Sequence, residues 1–131
     1  HLESGNITIK PYLHNMELAL AIADLIVGRA GAAFIAEITA KGIPAILIPY
    51  PLAAANHQEK NAASLVTKGA AIAIKDSELS AKRLLQHICR LISDNERSEA
   101  MSKAALSMSK PNALEDILKI INEVLDETSC M

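Results

Sequence analysis

The stretch ADLIVGRAGAAFIAEITAKGIPAILIPYP, residues 23–51, decides the fold. Two almost continuously apolar runs, 24–28 and 45–49, flank a run of helix-forming residues, 32–41. Strands covered on both faces lose the polar-apolar alternation of half-exposed ones, so such runs predict buried, parallel neighbours. Lys41-Gly42 then places a cation in the last helical turn and a glycine just beyond it, a stop signal.

Working outward, residues 7–10 and 70–75 read as further strands, and 15–23 and 57–68 as helices, the latter stopped by Lys68-Gly69. Beyond residue 75 the pattern is helical. Apolar residues at 81, 84, 85, 88 and 92 share one face, and those at 114, 117, 118, 121, 124 and 125 share another. Pro111-Asn112 with Glu115 resembles a capping box opening the last helix. The alternation predicts an α/β fold, a Rossmann-like parallel sheet with flanking helices, and 131 residues suit a single domain, 1–131.

Half of the residues are hydrophobic but only 2% are aromatic, so Ala, Ile and Leu must fill the core. A net charge of −2 without a basic stripe argues against nucleic-acid binding. Apolar runs are far shorter than the roughly 20 residues that cross a bilayer, so the expectation is a soluble, cytoplasmic protein. Cys89 and Cys130 form neither a disulfide framework nor a metal-ligand spacing and read as ordinary thiols. The chain opens on His1, and HLES reads as a cloning remnant or the interior of a longer protein, so a truncated chain is expected.

Ligands of open parallel sheets bind at the loops leaving the carboxyl ends of the strands. Three loops qualify: residues 11–16, 29–32 and 50–58. In the second, small residues run straight into a helix, and Gly31 would let an anion approach the unpaired N–H groups of the helix terminus. The plainer alternative is a turn that needs a glycine. Glu37 sharpens the choice, because Thr39 is the only other polar residue between Ala32 and Ala40. A helix apolar nearly all round is normally buried, and a buried carboxylate must find donors, a cation or a cleft. Glu37 lies roughly 9 Å along the axis from Gly31, a span suited to a nucleotide with phosphates at the terminus and ribose hydroxyls at the carboxylate. A solvated surface glutamate is the alternative. In the third loop, His57, Gln58 and Asn61 fall on one helical face and suit a hydroxyl-rich ligand, unless Asn56 merely caps the helix and the others are solvated.

The combination of RAGA, Glu37, GIPAILIP, then HQ and NA, with ITIKPYLHNM upstream, resembles the donor-binding half of the MurG family. These are bacterial GT-B glycosyltransferases that transfer N-acetylglucosamine (GlcNAc) from UDP-GlcNAc to a lipid-linked muramoyl-pentapeptide. The resemblance implies a partial GT-B C-terminal domain, with UDP-GlcNAc as donor substrate and no cofactor. It implies that Glu37 holds the ribose hydroxyls, while Arg29, Ala30, Gly31 and Ala32 form the turn facing the diphosphate. Leu13 corresponds to the residue whose main chain recognises uracil, with Met16 beside it. Gln58 and His57 correspond to the pair reading the GlcNAc hydroxyls, and Asn61 to an asparagine on the same helix.

The family's acceptor-binding amino-terminal domain and the glycine- and serine-rich loop that starts its donor domain have no counterpart here. The expectation is a fragment inactive alone, with the acceptor and any membrane contact left to the absent domain. The implied chemistry is an inverting displacement in which a helix N-terminus stabilises departing UDP. No catalytic residue is assigned in this half; His14 lies toward the uracil side and His87 on a helical face. No carboxylate pair has metal-ligand spacing, so no protein-bound metal is expected. Two rival readings are a donor-binding subunit recruited by a membrane-anchored partner, and a non-catalytic nucleotide-binding module.

Overall fold

The computed structural model describes residues 6–129; residues 1–5, 130 and 131, and with them the readings of HLES and Cys130, lie outside the described residues. Strands β1 (Ile26–Gly28), β2 (Ala45–Leu47) and β3 (Ala71–Ala73) form one parallel sheet in the order β1-β2-β3. Helix α1 (Met16–Ile22) precedes β1, and α2 (Ala32–Lys41) and α3 (His57–Thr67) connect the strands in turn. After β3 come α4 (Ala81–Ser93), α5 (Asn95–Ser107) and α6 (Ala113–Ser129). Gly28, Leu47 and Ala73 align in register, so the loops leaving all three strands open on one edge of the sheet.

The period of two along β2 divides the core. Ala45 and Leu47 face Ile38, Ala62 and Leu65 of α2 and α3, while Ile46 and Ile48 face Leu91 and Met101 of α4 and α5. β2 is fully buried, as its unbroken apolar run predicts. β1 is less covered than its sequence suggests, with Val27 exposed, because among the described strands it pairs on one side only.

Both lysine-glycine stops end their helices in the same way. Gly42 (φ 64°) donates its N–H to the carbonyl of Thr39 and Ile43 donates to that of Ile38; Gly69 (φ 73°) and Ala70 repeat this at Val66 and Leu65. These bonds satisfy the last carbonyls of each helix in a left-handed turn that glycine enters without steric penalty. Ser80 and Asp94 cap α4 and α5 by accepting from the N–H groups of Arg83 and Arg97.

Two expectations need correction. Residues 7–10 form no strand: Ile7 and Ile9 are exposed, since an alternating pattern secures burial only where a neighbouring surface receives it. The inward stripe of α4 is Leu84, Ile88 and Leu91, leaving Leu85 and Ile92 in solvent. Helix α5 lies within the helical region expected beyond residue 75 and packs on both α2 and α4. The apolar side chains Leu114, Ile117, Leu118 and Ile121 of α6 are exposed. No helix among the described residues is long and apolar enough to cross a membrane.

Candidate functional site

The turn after β1, residues 29–31, is anchored to α3. Ala30 is fully buried and its carbonyl accepts a hydrogen bond from Asn61 Nδ2 at 3.1 Å, which braces the turn against α3. Gly31 is the N-cap of α2 with φ −71° and ψ 148°, a conformation open to any residue. A Cβ there would meet nothing within 4 Å. Thus neither backbone strain nor crowding demands glycine, and a bare approach to the helix terminus is what the residue provides. Ala32 follows as the first helical residue, exposed.

Arg29 does not point toward this terminus. Its Nη1 donates to the carbonyls of Ile48 (3.3 Å) and Pro49 (3.4 Å) and pairs with Asp76 Oδ1 at 2.5 Å. The guanidinium carbon also lies 5.6 Å from the Tyr50 ring centroid. The side chain therefore ties together the loops leaving β1, β2 and β3, while only its backbone belongs to the turn that leads into α2.

Glu37 is exposed, contrary to the expectation of a buried carboxylate. The reason is compositional: the outward face of α2 is alanine, Ala32, Ala33, Ala36 and Ala40, which can face water without exposing large apolar groups. The buried polar residue of the helix is Thr39, whose hydroxyl donates to the Ile35 carbonyl at 2.8 Å. Glu37 instead lines an open cavity of about 500 Å³ with His14, Met16 and Lys41. The chain preceding α1 and the carboxylate of α2 thus share one concavity, and Leu13, half-buried, adjoins it in sequence. His14 stacks edge-on against Tyr12, with centroids 4.9 Å apart.

The β2–α3 loop holds the remaining candidates. Ala55 (φ 50°) and Asn56 (φ 53°) are both left-handed, and Asn56 makes no side-chain cap for α3, removing the capping alternative. His57 Nδ1 lies 2.6 Å from the carbonyl of Ala54, so its ring folds back on its own loop. Gln58 is fixed differently: its Oε1 accepts the N–H of Tyr50 at 2.9 Å. A backbone N–H must meet an acceptor, so this bond sets the orientation of the amide and directs the two-hydrogen Nε2 elsewhere.

Sequence reasoning missed Asp76 and Tyr50. The run 70–75 reads as a strand, so its exit loop belongs to the same carboxyl edge of the sheet and Asp76, the next residue, could have been found there. Among the described residues no group of three or more His, Cys, Asp or Glu side chains could hold a metal ion.

Residues 1–117 match the glycosyltransferase family 28 C-terminal domain. The chain is 50% identical over 122 residues to the "UDP-N-acetylglucosamine--N-acetylmuramyl-(pentapeptide) pyrophosphoryl-undecaprenol N-acetylglucosamine transferase" of Moorella thermoacetica, covering 93% of this chain and 33% of that one. It is 55% identical over 115 residues to the protein of the same name from Halothermothrix orenii, covering 88% and 31%. The crystal structure of Acinetobacter baumannii MurG matches with a TM-score of 0.82 at 30% identity, over 90% of this chain and 35% of that one. The chain therefore spans about a third of the length of the relatives it matches. The fold, its three parallel strands and the matched residues agree in one assignment: the chain belongs to the glycosyltransferase family 28 C-terminal domain family.

Proposed function

We propose that this chain is the UDP-GlcNAc-binding part of an inverting N-acetylglucosaminyltransferase that converts lipid I to lipid II in peptidoglycan synthesis. The observation that carries the proposal is the layout of α2, which begins at an uncrowded Gly31 and presents Glu37 in a cavity shared with Met16. A helix N-terminus carries roughly half a positive charge and several unpaired N–H groups, so diphosphate binds there and is stabilised as it departs. Ribose hydroxyls donate to Glu37, and uracil lies toward Leu13 and Met16. Gln58, with its oxygen held by Tyr50, offers Nε2 to sugar hydroxyls. Asn61 acts by holding the Ala30 carbonyl beneath the turn.

The relatives are about three times as long as this chain; in the proposed whole enzyme the remaining two thirds would hold the acceptor and make the membrane contact, at the cytoplasmic face of the inner membrane. This part alone binds the donor and transfers nothing. Donor binding here requires neither a cofactor nor a protein-bound metal.

Calorimetric titration of UDP and UDP-GlcNAc into the 131-residue chain tests the assignment. Glu37→Ala is expected to weaken both ligands, and Gln58→Ala mainly the sugar nucleotide. Equal affinities for the two variants and the parent chain would refute the site. A non-catalytic module with another ligand would show no preference for UDP-GlcNAc over UDP.

A further inference from the structure

An ion pair links the loops leaving the first and last strands of the sheet. Asp76, the first residue of the 3-10 turn Asp76–Glu78 after β3, pairs with Arg29, 47 residues earlier. Arg29 passes that anchorage to β2 by donating to the carbonyls of Ile48 and Pro49 and by lying against the Tyr50 ring. Tyr50 in turn donates its N–H to Gln58 Oε1. An arginine released from its carboxylate has other rotamers to visit, and loops joined only through it gain the same freedom.

We propose that Asp76 is a positioning residue for sugar recognition: through Arg29 and Tyr50 it fixes the exit of β2 and thereby aims the carboxamide of Gln58. The proposal rests on the reading of Gln58 as the group that meets the sugar. It assigns Asp76 no contact with the nucleotide, because the turn at Gly31 is braced by Asn61 and Glu37 lies in the cavity beside Met16. Asp76 should thus affect the difference between UDP-GlcNAc and UDP rather than affinity for both. The pair is partly exposed, with side chains 49% and 37% accessible, so the effect is bounded.

The test combines a ligand-free and a ligand-bound measurement on the 131-residue chain. In NMR spectra of Asp76→Ala, the Tyr50 amide and the Gln58 side-chain NH2 signals shift and Tyr50 exchanges its amide hydrogen faster, while the Ala33 and Glu37 amides stay in place. Asp76→Asn, which keeps an acceptor but loses the charge, falls between. In titrations, Asp76→Ala lowers UDP-GlcNAc affinity by about threefold to fivefold, the range of a partly exposed ion pair, with UDP affinity unchanged. Unmoved Tyr50 and Gln58 signals would overturn the proposal whatever the ligands do. So would an unchanged ratio of the two affinities in Asp76→Ala when Gln58→Ala does change it. If Gln58→Ala leaves that ratio unchanged, the donor-site reading fails on its own, and the ligand-free spectra still decide whether Asp76 aims Gln58.

Discussion

Asn61 on α3 donates its side-chain amide to the carbonyl of Ala30, 31 residues earlier, at 3.1 Å. Ala30 is fully buried, so this bond satisfies a carbonyl in the turn that carries Gly31. Asn61→Ala leaves that acceptor without its partner and is expected to destabilise the chain by about 1–3 kcal/mol in urea unfolding. Asn61→Asp replaces the donor with a second acceptor and should destabilise at least as much. Stability equal to that of the parent chain in both variants would show that the brace is dispensable.

Gly31→Ala separates stability from binding. Losing a favoured N-cap residue and restricting the unfolded chain oppose each other, each by about 0.5–1 kcal/mol, so the melting temperature should barely move. The new methyl group stands in the open space before the α2 terminus. Affinity for UDP is expected to fall about tenfold, or 1.4 kcal/mol. Undiminished UDP affinity would place the diphosphate elsewhere.

Much of the scaffold was legible because its cues are local. Continuous apolar runs marked β1 and β2, and Lys-Gly pairs marked the ends of α2 and α3. Residues 7–10 had the right pattern, yet burial depends on a neighbouring surface that a pattern cannot supply. Glu37 was found for a reason that fails, since alanines let the face around it stay exposed. Its place beside Met16 is a tertiary fact, as is the turning of Arg29 toward Asp76. Neither follows from helical spacing, because each joins groups far apart in the chain.

The two left-handed helix stops differ in their surroundings, and their alanine variants should differ with them. At Gly69 a Cβ meets nothing within 4 Å, so Gly69→Ala carries only the backbone penalty, about 1–2 kcal/mol. At Gly42 the Cβ would lie 2.6 Å from Leu106 Cγ. Gly42→Ala adds displacement of that side chain from the α2–α5 interface, and a total of about 2–4 kcal/mol is expected. Equal losses in thermal unfolding would contradict the packing described for α5.

Ala55 occupies a left-handed conformation at φ 50° in the loop ahead of Gln58. Ala55→Gly relieves a steric penalty of about 1–2 kcal/mol but gives the unfolded chain more freedom, so a net stabilisation of about 0.5–1 kcal/mol is expected. Differential scanning calorimetry checks the sign. A lower melting temperature would mean that the loop does not hold this conformation in solution.

The central claim is that α2 holds a uridine diphosphate from Gly31 to Glu37. Amide chemical-shift mapping with UDP and then UDP-GlcNAc tests it most directly. UDP is expected to shift the amides of Gly31 to Ala33 together with those of Met16 and Glu37, and the added sugar to extend the changes to Gln58 and its neighbours. Shifts confined to the separate cavity lined by Pro51, Val66 and Ser77, or absent from the α2 terminus at saturating UDP, would contradict the account.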